Sequence, residues 1–183
     1  MARIYAACLA SYNNGVLHGR WIEASSDVDE MQKEVSAMLR ESRFPNVTVT
    51  HPETGEQVPS AEEWAMHDSE GLPSRLGEYC GLAAVAEFVE LVEEFDHIEP
   101  EDMATIVDHF GQLDWARTAL EDRYCGVYES LGAYAEDIAD ELLSELDSEH
   151  IARRYFDYLS FTRDMDHQYD VVELSEGVAI FNQ

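Results

Sequence analysis

Leu82-Ala83-Ala84-Val85-Ala86-Glu87-Phe88-Val89-Glu90-Leu91-Val92-Glu93-Glu94 carries two faces at once. Val85, Phe88, Val89 and Val92 recur at the spacing of one side of an α-helix. Glu87, Glu90 and Glu94 recur at i, i+3 and i+7 opposite them, with Glu93 alongside. The spacing predicts a helix over 82–94 that buries one face and holds carboxylates outward on the other. The helical reading extends to both sides. Ser60-Ala61-Glu62-Glu63 after Pro59 has the form of a capping box. Pro100 at a first-turn position and Gly111 just past the end delimit a helix over 100–110. Asp114 is placed to cap another over 115–122. Four short helices in succession point to a small helical bundle over 60–122.

The flanking parts mix types, so the fold class expected is α+β. Arg3–Ala10 and Leu17–Ala24 read as strands, with Asn14-Gly15 between them as a hairpin signal. Val28, Met31, Val35, Met38 and Leu39 mark a helix started by Asp27 and Glu30, and Val47–Thr50 reads as a third short strand. Pro52, Gly55, Pro59 and Ser60 place a boundary near Pro59, giving a first part over 1–59. Beyond residue 122, Arg123–Ser130 reads as a strand. Ala135, Ile138, Ala139, Leu142 and Leu146 form the buried stripe of a long helix. An aromatic helical stretch succeeds it over 148–163. The last part, 123–183, closes in a hairpin, Tyr169–Leu174 and Val178–Phe181, turned at Ser175-Glu176-Gly177.

Charge narrows the function. The 183 residues hold 39 Asp+Glu against 11 Lys+Arg, a net of −28. At 45% hydrophobic residues the chain can still build a packed core. Such a surface does not bind nucleic acid, which requires Lys and Arg to displace counterions, and it is repelled by anionic lipid. Partners are expected to be basic. The acid is also uneven: residues 1–60 carry 8 acids and 5 bases, residues 61–183 carry 31 and 6. No lysine or arginine lies between Arg75 and Arg117, and Lys33 is the only lysine. Besides Glu87, Glu90, Glu93 and Glu94, the helical middle holds Asp96, Glu99, Glu101, Asp102, Asp114, Glu121 and Asp122. Asp137, Asp140, Glu141 and Glu145 come next, on the helix carrying Leu142.

Like charges at i, i+4 cost a helix roughly 0.2–0.5 kcal/mol per pair, and a surface built for solubility mixes signs. Three readings of the repulsion stand: a solvated, salt-adapted surface; an acidic scaffold or chaperone for a basic partner; and imitation of a polyanion. The uneven distribution weighs against uniform salt adaptation. For the third, Cβ atoms at i, i+3 and i+4 lie about 5–6 Å apart, similar to successive phosphates on one strand. A compact protomer about 40 Å across with this net charge carries about 0.7 charges per Å, against roughly 0.6 for duplex DNA.

Catalytic signatures are absent from the sequence. It has no GxSxG elbow, phosphate-cradling Gly-rich loop, HExxH or calcium loop. His18, His51, His67, His97, His109, His150 and His167 are scattered, with His67-Asp68 and Asp96-His97 the nearest to pairs. A non-enzymatic protein without metal or cofactor is expected. Cys8, Cys80 and Cys125, odd in number and in no CxxC pair, read as free thiols of a reducing cytoplasm. Met1–Tyr5 does not resemble a signal peptide, and no run of 18 apolar residues predicts a membrane span.

Three stretches resemble the ArdA antirestriction family. Ile4-Tyr5-Ala6-Ala7-Cys8-Leu9-Ala10-Ser11-Tyr12-Asn13 with Leu17-His18-Gly19-Arg20-Trp21-Ile22 is similar to its opening hairpin. Glu62-Glu63-Trp64-Ala65-Met66-His67-Asp68-Ser69-Glu70-Gly71 is similar to its domain junction. Leu142-Leu143-Ser144-Glu145-Leu146, Tyr155-Phe156-Asp157-Tyr158 and Phe161-Thr162-Arg163-Asp164-Met165 resemble its antirestriction motif. Gly126-Val127-Tyr128, with Leu131 and Tyr134, also fits. Ser144 interrupts the acids before Leu146, and Cys80-Gly81 replaces the more usual polar helix start.

The resemblance implies a DNA mimic carried by mobile genetic elements that inhibits type I restriction–modification enzymes in the cytoplasm. It implies an elongated homodimer of three small domains (α+β, helical, α+β), joined through the third, that occupies the DNA-binding groove of the methyltransferase core without a cofactor. The helical acids then stand in for phosphates. Leu142, Leu146, Tyr155, Phe156 and Tyr158 read either as core of the third domain or as dimer contact.

Overall fold

The computed structural model describes residues 2–44, 48–50, 52–59, 63–78 and 80–183. The chain falls into two compact units, Met1–Ala104 and Thr105–Gln183. The described residues form a mixed α+β protein with two three-stranded antiparallel sheets, a two-stranded ribbon and eight helices.

The first unit runs β1 (Arg3–Cys8), α1 (Leu9–Asn13), β2 (Gly19–Glu23), α2 (Val28–Arg40), β3 (Thr48–Thr50), β4 (Gln57–Pro59), β5 (Trp64–Glu70) and α3 (Gly81–Glu94). Its sheet has the order β2-β1-β5, and β3 pairs with β4. Alternation puts Ile4, Ala6 and Cys8 into one core with Ile22, Met66 and the inner faces of α2 and α3. On β1 and β2, Tyr5 stands opposite Trp21, their rings 5.5 Å apart edge to face, with the Arg3 guanidinium 4.6 Å from the Trp21 centroid. Asp27 caps α2 as expected, accepting from Asp29 N and Glu30 N. Ser25 completes the cap: its Oγ donates to the Glu30 carboxylate and accepts from Asp27 N.

Two expectations change in this unit. β1 and β2 are not joined by a tight Asn14-Gly15 hairpin. Their register closes at Ala7 opposite Gly19, and the intervening chain coils into α1, ended by Gly15 at φ 74°. The capping box at Ser60–Glu62 lies outside the described residues, as does Val47 at the start of the expected third strand. Residues 64–70, expected within the helical part, are strand. β5 pairs with β1, satisfying the ladder groups of a segment whose apolar residues Ala65 and Met66 are buried. Between Tyr5/Asp68 and Ala6/Met66 the register shifts, leaving His67 as the extra residue of a bulge. β4, which carries no strand signal of its own in the sequence, pairs with β3.

α4 (Pro100–Phe110) contains the division between the units and ends at Gly111, φ 87°. The second unit continues with α5 (Leu113–Asp122), β6 (Tyr124–Tyr128), α6 (Leu131–Leu142), α7 (Ile151–Arg154), α8 (Tyr158–Met165), β7 (Tyr169–Glu173) and β8 (Val178–Asn182). The sheet order is β6-β8-β7. β8 is central and covered on both faces, which is why Val178-Ala179-Ile180-Phe181 is an unbroken apolar run, buried throughout. Val178 and Ile180 pack with Tyr134, Ala135 and Met165. Phe181 meets Phe110 at 5.0 Å and Tyr124 at 5.5 Å. The final hairpin forms as expected, closed by Leu174 N to Gly177 O. The aromatic stretch over 148–163 is not one helix. It breaks at 155–157, where Asp157 starts α8 by accepting from Ser160 N.

Candidate interaction surface

α3 orients its acids by burying the other face. Leu82, Val85, Ala86, Phe88 and Leu91 are buried, Val89 and Val92 are half-buried, and Glu87, Glu90, Glu93 and Glu94 are exposed. The buried stripe is therefore turned slightly toward Leu91 from the one expected. The helix starts at Cys80 without a side-chain cap, and burial pushes the Cys80 thiol up. Ser26 Oγ donates to Glu93 Oε1 at 3.4 Å.

Asp96, Glu99 and Glu101 are exposed around the start of α4. Asp102 departs from the expectation of a displayed acid: it is buried, 9% exposed, in the first turn of α4. A carboxylate there complements the unpaired N–H groups of the helix start. On α5, Asp114, Glu121 and Asp122 are exposed. Asp114 does not cap the helix. Gln112 holds the N-cap position without a side-chain bond, and Asp114 lies in the first turn.

On α6, capped by Ser130 accepting from Ala133 N, Asp137, Asp140 and Glu141 are exposed, and Tyr158 OH donates to Asp140 Oδ1 at 3.2 Å. Burial and then this carboxylate push the Tyr158 phenol up. The helix ends at Leu142, so Glu145 and Leu146 lie in the turns beyond it, Glu145 exposed and Leu146 half-buried. Leu142 does not join the buried stripe: it is 66% exposed, and Leu143 takes the inward place. A guanidinium cap closes this end of the helix. Arg153 donates from Nε and Nη2 to Leu143 O at 3.1 and 2.8 Å, and from Nε to Leu146 O at 3.2 Å. This satisfies carbonyls the helix leaves open.

The structure separates the five motif residues. Phe156 and Tyr158 are half-buried, with Phe156 stacked edge-on against Tyr158 at 4.8 Å and Phe161 at 5.3 Å. Tyr155 is 74% exposed, so Tyr155 and Leu142 are not core of the second unit. Two exposed apolar residues were not singled out by the sequence, Ile151 and Leu159, the latter 86% exposed. Ile151, Tyr155 and Leu159 recur at a spacing of four, the one signal in the sequence that marks them as a shared face. Trp115, also exposed, was not marked by its pattern either.

The ion pairs Arg3–Glu70, Arg20–Glu41 and Arg123–Asp170 use acids outside the expected set. His67 does not pair with Asp68. Its Nε2 lies 3.7 Å from Glu78 Oε1, beside an open, polar groove of about 500 Å³, and its ring meets Tyr12 edge-on at 4.9 Å. His51 lies outside the described residues. Among the described residues no three His, Cys, Asp or Glu converge to hold a metal ion, and no helix is long and apolar enough to cross a membrane.

Helices that bury apolar stripes and present carboxylates outward, beside two small antiparallel sheets, define an acidic α+β protein. The sequence pattern of the antirestriction protein (ArdA) family matches residues 4–180, and the chain belongs to that family. Its members are non-enzymatic inhibitors whose counterparts are restriction–modification systems. Comparison with curated protein sequences returned no match.

Proposed function

We propose that the protein inhibits type I restriction–modification enzymes as a DNA mimic, its helical carboxylates occupying the methyltransferase groove that otherwise holds duplex DNA. One observation carries the reading: the acids of α3, α5 and α6 are exposed, and the stretch between Arg75 and Arg117, which holds α3 and α4, has no lysine or arginine. Asp102, being buried, is left out of the phosphate-like set. A groove lined by Lys and Arg gains from each acid, and each exposed pair is worth only about 0.2–1 kcal/mol, so attraction is shared.

The same proposal includes a homodimer joined through the end of α6, α7 and α8, and the elongated three-domain form implied by the resemblance. Leu142, Ile151, Tyr155 and Leu159 offer exposed apolar area there. Arg153, Arg154 and Arg163, three of the six bases after residue 60, lie in the same helices. A chain of this net charge self-associates most easily where its own bases offset the repulsion.

Competition tests the inhibitory reading. Duplex oligonucleotide should displace the protein from a type I methyltransferase. Binding that duplex leaves untouched would sink the mimic and favour the acidic scaffold. Glu87→Gln, Glu90→Gln and Glu94→Gln together should weaken inhibition only about fivefold, with single changes nearly silent; complete loss from one change would point to chemistry instead. Sedimentation of a compact monomer at micromolar concentration would remove the dimer.

A further inference from the structure

We propose that Trp115 is the anchor that sets the register of the acidic surface on its protein partner, its indole receiving an arginine guanidinium from that partner. This rests on the inhibitory reading above and names one contact within it.

α5 buries Ala116, Ala119 and Leu120 and exposes Asp114, Trp115, Thr118, Glu121 and Asp122. At about 100° per residue these five share roughly 120° of the helix surface. Trp115 and Asp122 lie in one line along it, with Asp114 and Glu121 in a parallel line. Trp115 is 58% exposed. The other tryptophans are half-buried: Trp64 packs against the first unit's core, and Trp21 lies under the Arg3 guanidinium. The chain thus uses an indole–guanidinium contact internally, and among the described residues no arginine covers Trp115.

Charge supplies attraction but not position. Sliding an acid-studded helix past a basic surface by one turn exchanges one carboxylate for another at little cost, so the acids speed and strengthen encounter without fixing alignment. A large rigid aromatic does fix it, because its contact area is lost on displacement. Tryptophan and arginine are the residues that most often dominate interface energetics. A planar guanidinium stacks on the indole face, which a compact ammonium does less well, while the acids of the same helix surface, Asp114, Glu121 and Asp122, add only long-range attraction. The occupant is therefore an arginine-bearing protein surface.

Three measurements test this. The first is inhibition of a type I methyltransferase, with duplex competition as a control. Trp115→Ala should raise the half-inhibitory concentration about tenfold, Trp115→Phe about threefold and Asp122→Asn no more than about twofold. If the wild type inhibits and is displaced by duplex but Trp115→Ala matches it, the anchor fails while the inhibitory reading stands. If the wild type itself does not compete with duplex, the inhibitory reading fails. The second measurement needs no enzyme. The indole N–H resonance that disappears in Trp115→Phe should move more with an arginine-rich peptide than with its lysine counterpart. Equal movement with both, or none, overturns the proposal, as does a Trp115→Ala protein whose sedimentation shows that Trp115 serves self-association.

Discussion

Two glycines separate strain from crowding at the scale of single residues. Gly177 sits at φ 84°, and a Cβ built there would lie 2.3 Å from Tyr128 O, a backbone atom of the neighbouring strand. Gly15 has a similar φ of 74° but nothing within 4 Å. Gly177→Ala should therefore cost about 2 kcal/mol or more, and Gly15→Ala about 1 kcal/mol, as read from urea midpoints. Equal losses would mean that backbone strain alone matters at Gly177. Asp157 supplies a pH prediction. Hydrogen bonds from Ser160 N and Oγ hold its carboxyl below the usual carboxylate range. Its folded value is below its unfolded one, so its contribution is full above the unfolded value and is lost as pH falls through the folded one. Asp157→Asn should flatten the acid limb of the stability curve without changing stability's slope near neutrality. An unchanged acid limb would remove Asp157 from that balance.

Arg153 closes the end of α6, and this is a matter of elements. It caps Leu143 O and Leu146 O just past the helix end at Leu142, where Leu143 faces inward and Leu142 outward. Hydrogen bonds to a charged donor are worth roughly 1.5–3 kcal/mol. Arg153→Ala should loosen residues 143–150, raising their amide exchange about tenfold or more, while the β6-β8-β7 sheet stays protected. Uniform loss of protection across the unit would mean that the cap supports the whole fold. Elements with strong internal periodicity were legible in the sequence: α2 with its Asp27 cap, α3, α4 between Pro100 and Gly111, and the closing hairpin. β5 was not, because the capping box read at Ser60–Glu63 just before it signals a helix start and only pairing with β1 makes it a strand.

Net charge acts on the whole molecule in two opposing ways. With −28 charges the chain repels itself, while the proposed binding draws on the same charges. Added salt screens both, since the Debye length falls from about 30 Å at 0.01 M to about 8 Å at 0.15 M. Melting temperature should rise over that range while inhibition weakens. If both moved in the same direction, the acids would not be the common cause. The exposure of the acids of α3, α5 and α6 was legible, since amphipathic spacing states which side faces water. It was not legible at Asp102, Leu142, Tyr155, Leu159 and Trp115, where burial departs from what residue type and period predict.

The sequence by itself determined the charge, its concentration after residue 60, the family and the main amphipathic helices. These arise from composition and local period, which need no knowledge of distant residues. Tertiary structure alone decided that residues 64–70 are strand, that Asp102 is buried, and that Leu142 faces outward while Leu143 faces inward. The first depends on a partner far along the chain, the free edge of β1, and the burials depend on three-dimensional packing that local period does not encode. A burial choice made by such packing leaves no periodic trace in the segment it acts on.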